Sequence, residues 1–506
     1  MYAIGVDSGT QGTKVLIVDF DGNIISRGRA SHHFVEGLKP GESEQDPRVW
    51  IQALEQALAQ ALKDIPIDPR DIVSLGVSGQ QHGFVPLDNN GSSIRPAKLW
   101  NDTSTIEEVE SIIGIMGGKE SLIQKLGINL AVGYTASKIL WLKRHEPENF
   151  KKLARVLLPH NYINYVLTGK AHMEFGDASG TGLMDIKNRK WCKEVMLAID
   201  AELEHKFPPL SHPSHPVGFV RKEIAQRFGM AKVLVGSGGG DNMMGAVGTG
   251  NVASGLCTLS LGTSGTISSF FGEPCVDPEG EIASMCDSTG GWLPLLCTMN
   301  VTNTTEHWKG IMTMSNEEME KQASRAPEGA ERLLFLPFID GERVPVLPYA
   351  NGVFFGLTRK NFTSFHMTRA IMEGTILNLG YGFSRMKSLG LIPSEIRVTG
   401  GGSKSRLWLQ IVADIFKTPV RTLEEEEGAA LGAAIQSVWN YHLSQGKDVN
   451  IAELTKKMVK LKGTTVEPEP ERFSLYDELQ DRFNSLWRTL KQEFRTHRGI
   501  SDPDSL

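Results

Sequence analysis

Short apolar runs broken by glycine turns open the chain. Residues 2–6 and 15–18 are strand-length, Asp21-Gly22 is a hairpin signal, and residues 24–29 follow, which predicts a β-meander over the first 30 residues. Trp50, Ile51, Leu54, Ala57, Leu58, Ala61 and Leu62 then recur at helical spacing. Residues 72–77 predict a further strand, ending in Ser78-Gly79. Strands alternating with amphipathic helices imply an α/β architecture. Residues 477–495 read as a closing amphipathic helix and 496–506 as a polar, frayed tail. The uncharged stretch 242–272 is rich in Gly, Ser and Thr, which predicts strands and glycine turns rather than a membrane span.

The same pattern occurs twice. Gly9-Thr10-Gln11-Gly12-Thr13 follows the first strand, and Gly262-Thr263-Ser264-Gly265-Thr266 follows a predicted strand over 256–261, an offset of 253 residues in a chain of 506. Each half also ends in a strand and a glycine cluster: 233–235 before Gly236-Ser237-Gly238-Gly239-Gly240-Asp241, and 396–399 before Gly400-Gly401-Gly402-Ser403. Two related α/β domains follow from this, 1–247 and 248–506, with the boundary near 248–255. The span from hairpin to cluster is 231 residues in the first half and 139 in the second, so the first carries an insertion suited to substrate specificity.

Composition narrows the class. Fifty-three Lys and Arg against 59 Asp and Glu give a net charge of −6, which argues against a basic nucleic-acid binder. Five cysteines, an odd number without a C-x-x-C pair, argue against a zinc ribbon or a secreted disulfide framework and suit a reducing cytoplasm. The first residues lack the basic segment of a signal peptide. No P-loop, H-E-x-x-H or G-x-S-x-G occurs, and Gly248-Thr249-Gly250-Asn251-Val252-Ala253 precedes a strand instead of following one, unlike a dinucleotide fingerprint.

Three clusters carry candidate chemistry. In Asp7-Ser8-Gly9-Thr10-Gln11-Gly12-Thr13-Lys14, a glycine hairpin offers backbone N–H groups to phosphate, with the Thr hydroxyls and Lys14 beside them. Asp7 at the strand end could hold Mg²⁺ through waters; the plain alternative is a tight turn with a self-capping Asp. The glycines before Asp241-Asn242 admit a ligand and set Asp241 at a strand's carboxyl edge as a general base, or else Asp241 caps a helix over 243–247. The turn 400–405 suits a flat adenine, or is only a strand–helix turn. The small-residue run 428–434 reads as close helix packing, and Glu424 to Glu427 as a solvated helix start rather than a metal site. His82 and Trp100 read as core residues or as a rim beside Gln81, Asn101 and Asp102, where polar groups meet sugar hydroxyls.

Two longer patterns, Gly133-Tyr134-Thr135-Ala136-Ser137-Lys138 through His145, and Gly352-Val353-Phe354-Phe355-Gly356-Leu357 through Glu373, resemble the signatures of the FGGY carbohydrate kinases. Ser43-Glu44-Gln45-Asp46-Pro47, Trp100-Asn101-Asp102, 259–265 and Gly341-Glu342-Arg343 are most similar to the xylulokinase branch, whose frequent Met-His and Thr-Pro-His are here Gln81-His82 and Val344-Pro345-Val346. The resemblance implies two actin-like (ribonuclease H-like) ATPase domains around a central cleft, the first binding sugar and the second nucleotide. It implies ATP-dependent phosphorylation of a ketopentose, with ATP and Mg²⁺ as cofactors. Asp241 would be the proton acceptor and Asp7 would serve metal and phosphates. Gln81, His82, Trp100, Asn101, Asp102 and Asn242 would bind sugar. Gly9, Thr10, Gln11, Thr13, Lys14, Gly262, Thr263, Gly401, Gly402 and Ser405 would bind ATP. The expected partners are a small-molecule sugar and ATP, without nucleic acid or membrane; a homodimer is left open. The alternatives are a kinase for another ketose or polyol, such as ribulose, and a non-catalytic nucleotide or sugar sensor on the same fold.

Overall fold

Strand β1 (Tyr2–Ser8) turns back into β2 (Gly12–Asp19), and β3 (Ile24–Ser31) completes the predicted meander in the computed structural model, which describes residues 1–499. The tail residues 500–506, predicted to fray, lie outside the described residues. β1 runs antiparallel to β2 and parallel to β4 (Ile72–Gly79), and its apolar residues are buried because helix 428–444 packs on Gly5 while Ile4 and Val6 share a core with Trp50 and Leu54. β5 (Leu234–Val235) lies parallel to β4, and the short Gly239–Gly240 segment adds to the end of β4 opposite Ser78 and Gly79. The strand order is β3-β2-β1-β4-β5.

The second half repeats this topology. β6 (Leu256–Leu261) pairs antiparallel with β7 (Gly265–Ser269), which pairs antiparallel with β8 (Trp292–Thr298). β9 (Glu395–Thr399) lies parallel to β6, and β10 (Val420–Leu423) parallel to β9. The order β8-β7-β6-β9-β10 matches the first sheet strand for strand in direction. The internal repeat therefore extends beyond the glycine hairpins to whole sheets.

Two compact units result, and the chain changes unit more than once. One comprises Met1–Ala253, Phe270–Pro294 and Glu427–Lys460; the other Ser254–Ser269, Leu295–Glu426 and the chain from Leu461 on. Among the described residues no helix is long and apolar enough to cross a membrane. The first part of the uncharged stretch is the helix Asp241–Thr249, not strand, because Met243, Met244, Ala246 and Val247 bury one face; strand begins only at Leu256.

Helix Pro47–Leu62 starts where Asp46 accepts from the Arg48 N–H and Pro47 presets the first turn. Its buried face is Trp50, Ala53, Leu54, Ala57, Leu58 and Ala61, packed with the Ile4, Val15 and Val77 core of the sheet. The small-residue run is close packing, as its composition implies. In helix Gly428–Ser444, a Cβ on Gly432 would lie 1.8 Å from the Met244 carbonyl oxygen, and one on Gly248 would lie 1.8 Å from that of Gly428. Only paired glycines let these two helices touch backbone to backbone. In the second unit the closing helix, Phe473–His497, buries Tyr476, Leu479 and Phe483 against Leu336, Phe338 and Leu377.

Candidate active site

In the first unit, Asp7 ends β1 opposite Ser78, whose hydroxyl donates to its carboxylate at 2.9 Å. Burial pushes the Asp7 carboxyl above its ordinary range; Ser78 and Lys14 oppose this and Glu427 adds to it. Lys14 lies across from Asp7 in β2 but is drawn to Glu427, 2.6 Å away. Glu427 is the residue from which helix Gly428–Ser444 starts, and Glu426 pairs with Lys404 at 3.1 Å, so two of the four acids are ion-pair partners rather than only a solvated cap.

The turn between β1 and β2 is held by its carbonyls. The Thr10 carbonyl accepts from Gln45 Nε2 at 2.7 Å, and the Gln11 carbonyl from the His32 N–H at 3.2 Å. Gln45 also accepts from Trp50 Nε1, which ties the turn to the buried helix behind it. The Gly9 N–H closes the turn on the Gly12 carbonyl, whereas the N–H groups of Thr10 and Gln11 meet no acceptor among the described residues. Anchored carbonyls and unpaired N–H groups make a turn that can bind an anion. Thr13 departs from the expectation: it is fully buried and its hydroxyl bonds Ser8, because its side chain falls on the inward face of β2.

Asp241 is the first residue of its helix; Gly240 occupies the capping position, so the cap alternative does not hold. The Asn242 N–H and amide meet Asp241 Oδ1 at 2.9 and 3.3 Å, leaving Oδ2 as the oxygen that can take a proton. Burial raises the Asp241 pKa to about 7, with Asp7 and Asp177 adding repulsion. A carboxyl poised there can act as a base near neutral pH. Asn242 Nδ2 also donates to Gln81 Oε1 at 2.7 Å. Gln81 is only 3% exposed, so it orients Asn242 and offers little surface of its own.

His82 stands in the left-handed region, φ +62°, with Nδ1 2.7 Å from the Gly180 carbonyl. A carbonyl only accepts, so Nδ1 carries a proton and donates it to Gly180. The ring lies 4.5 Å from that of Tyr134. Trp100 is 42% exposed, not core, and its indole N–H donates to Thr10 Oγ1 at 3.0 Å. Asn101 is exposed beside it. Asp102 is different: it is fully buried and accepts from the Ser43 N–H, Lys98 Nζ and the Ser104 N–H and hydroxyl, at 2.6–3.1 Å. It braces the turn and has no surface for a sugar.

In the second unit, the turn after β6 repeats the same device. The Gly262 carbonyl accepts from the Thr302 N–H and the Thr263 carbonyl from those of Val301 and Asn303, while the Thr263 N–H meets no acceptor among the described residues. The glycine cluster adjoins this turn: a Cβ on Gly400 would lie 2.7 Å from the Leu261 carbonyl oxygen and 3.1 Å from the Gly262 nitrogen. Gly401 faces open space, whereas Gly402 is buried against Leu261 and Trp408. Ser405 spends its hydroxyl oxygen as the cap of helix Arg406–Phe416, accepting from the Trp408 N–H.

Models of the N-terminal and C-terminal domains of the FGGY family of carbohydrate kinases match residues 2–248 and 257–441. The chain belongs to this family. A xylulose kinase of Haemophilus influenzae is 43% identical over 447 residues, 87% of this chain and 90% of that protein. One of Escherichia coli is 33% identical over 493 residues, 97% of this chain and 99% of that protein. A xyloylose kinase from Brucella ovis has a crystal structure that matches with a TM-score of 0.89 at 28% identity, covering 97% of this chain and 99% of that one. The two-unit α/β fold is that of the sugar-kinase and actin-like ATPases, and FGGY kinases use ATP.

In this FGGY chain the structure adds residues to the neighbourhood of Asp241 that sequence reasoning missed. Asp177 Oδ2 bonds His160 Nδ1 at 2.7 Å, both fully buried, and Asn161 holds the other ring nitrogen at 2.8 Å. Glu174 caps the short helix Phe175–Ala178, and burial raises its pKa to about 8. The signal was present: Asp177 sits in Gly176-Asp177-Ala178-Ser179-Gly180, a small-residue run around an acid much like the one at Asp241. Among the described residues no group of three or more His, Cys, Asp or Glu could hold a metal, which leaves Asp7 as a single carboxylate with one recorded donor. That donor set fits Mg²⁺ held mainly by waters and nucleotide phosphates.

Proposed function

We propose that this chain transfers the γ-phosphoryl group of ATP to D-xylulose, giving D-xylulose 5-phosphate. The observation that carries the reading is Asp241: a carboxyl with a pKa of about 7, with Asn242 beside it, at the carboxyl edge where β1 and β4 also end. The sugar 5-hydroxyl oxygen forms the new bond to phosphorus, its proton passes to Asp241 Oδ2, and the bond to ADP breaks. A loose phosphoryl-transfer transition state asks for positioning and charge stabilisation more than covalent help. His82 Nε2, Trp100, Asn101 and Asn242 would receive the sugar, with Gln81 behind Asn242. The N–H groups of Thr10 and Gln11 would meet phosphate oxygens. Thr263 and the Gly400–Gly402 turn would form the second unit's nucleotide surface. Mg²⁺ at Asp7 would neutralise phosphate charge. The xylulose kinases of H. influenzae and E. coli support the choice of sugar.

The test is ADP release against a panel of D-xylulose, D-ribulose, L-ribulose, glycerol and gluconate. The expected result is the highest kcat/KM for D-xylulose. A preference for another ketose or polyol would overturn the sugar assignment, and no sugar-stimulated ADP release would overturn the kinase assignment.

A further inference from the structure

Lys138 has no accessible surface and, among the described residues, no carboxylate within ion-pair distance. Its ammonium donates instead to two backbone carbonyls, His82 O at 2.7 Å and Gly133 O at 2.5 Å. Burial pulls its pKa well below the ordinary lysine range. An amine buried at such electrostatic cost needs a reason, since an apolar side chain would fill the same space.

The two carbonyls supply the reason. His82 is held in the left-handed region, unfavourable for a residue with a Cβ. Thr135 Oγ1 donates to the same His82 carbonyl at 3.2 Å. Gly133 has φ +95°, and a Cβ there would lie 2.1 Å from the Trp100 carbonyl oxygen. The next residue, Tyr134, carries the ring against His82. A single ammonium thus joins the turn of His82 to the loop of Gly133 and Tyr134, which packs closely on the Trp100 backbone.

We propose that Lys138 is a positioning residue for sugar recognition: by clamping the carbonyls of His82 and Gly133 it fixes the left-handed turn that presents the His82 imidazole. The proposal rests on the reading of His82 as a sugar-binding residue. Lys138 touches no reacting atom, so its removal acts on the sugar and not on the nucleotide.

The experiment compares wild type, Lys138→Met, His82→Ala and the double variant by sugar KM, ATP KM, kcat and melting temperature. Lys138→Met is expected to raise the sugar KM by about tenfold or more, with the ATP KM within about twofold of wild type. In the His82→Ala background the same substitution is expected to change the sugar KM by less than about twofold, because the side chain it positions is gone. A wild-type sugar KM in Lys138→Met, while His82→Ala raises it, overturns the proposal. Effects that multiply in the double variant overturn it too. A wild-type sugar KM in His82→Ala overturns the reading of His82 and the proposal with it. Should Lys138→Met not fold, Thr135→Val removes the second donor to the same carbonyl. It is expected to raise the sugar KM by about two- to fivefold, and only when His82 is present; an unchanged sugar KM overturns the proposal.

Discussion

Asp7 and Asp241 stand at one edge of the same sheet with only β4 between their strands: Asp7 is opposite Ser78, and Gly240, which precedes Asp241, is opposite Gly79. Two strand spacings separate the backbones, about 10 Å. That is far enough for a phosphoryl group to lie between the carboxylates and near enough for each charge to be felt by the other. Asp7 is the largest charged contributor to the raised pKa of Asp241, after burial itself. Asp241→Asn keeps the shape and removes the base. It is expected to lower kcat by roughly 10²–10⁴ with a much smaller change in sugar affinity and none in ATP binding. Steady-state kinetics alongside calorimetric binding of both substrates checks this, and a kcat within a few-fold of wild type would end the assignment.

The same carboxyl predicts a pH dependence with a definite sign. Asp241 binds its proton more tightly in the native state, with a pKa of about 7, than in an unfolded chain. Its contribution to stability is therefore greatest near pH 4 and falls as pH rises towards 7. Asp241→Asn is expected to melt a few degrees above wild type at pH 8 and about level with it at pH 4. Sugar kcat/KM of the wild type should rise through pH about 7 as the base ionises. An equal melting difference at both pH values would contradict the raised pKa.

Asp7 is the expected seat of the metal. Asp7→Ala should abolish nearly all turnover while leaving the circular dichroism spectrum and melting transition of a folded protein. Wild-type rates with Mg²⁺ in this variant would remove Asp7 from the metal and phosphate role.

His82 separates a sugar ligand from a core histidine. His82→Ala loses the imidazole expected to meet a sugar hydroxyl and should raise the sugar KM by about 5- to 150-fold, with ATP binding little changed. If only the melting temperature falls and the sugar kinetics hold, the ring serves the fold alone.

Much of the architecture was legible because glycine turns and apolar runs are local signals. The hairpins at Gly9 and Gly262, the strand 256–261 and the helix from Pro47 need no knowledge of distant chain. What could not be read was which way polar side chains point. Thr13 and Lys14 are neighbours in one strand, yet one is buried on Ser8 and the other reaches Glu427, 413 residues away. Asp102 reads like a rim acid beside Trp100 and Asn101, but buried Lys98 and Ser43 draw it inward. Ser405 follows a glycine cluster fit for a ligand, and the helix behind it takes its oxygen. The His160–Asp177 pair joins residues whose partnership depends on tertiary packing near the Gly239–Gly240 strand.

The glycine contact between helices Asp241–Thr249 and Gly428–Ser444 bears on how the protein comes to exist in a cell. The helix that carries Asp241 leaves the ribosome roughly 180 residues before the one that seats it, a delay of about 10–35 s at ordinary rates of synthesis. Until then the surface shaped by Gly248 is without its mate, and the nascent first unit is an unfinished object. A product stopped before Glu427 has Asp241 but lacks the helix whose backbone meets that of Asp241–Thr249. The first unit is therefore completed only when residues 427–460 return to the sheet that residues 2–79 began.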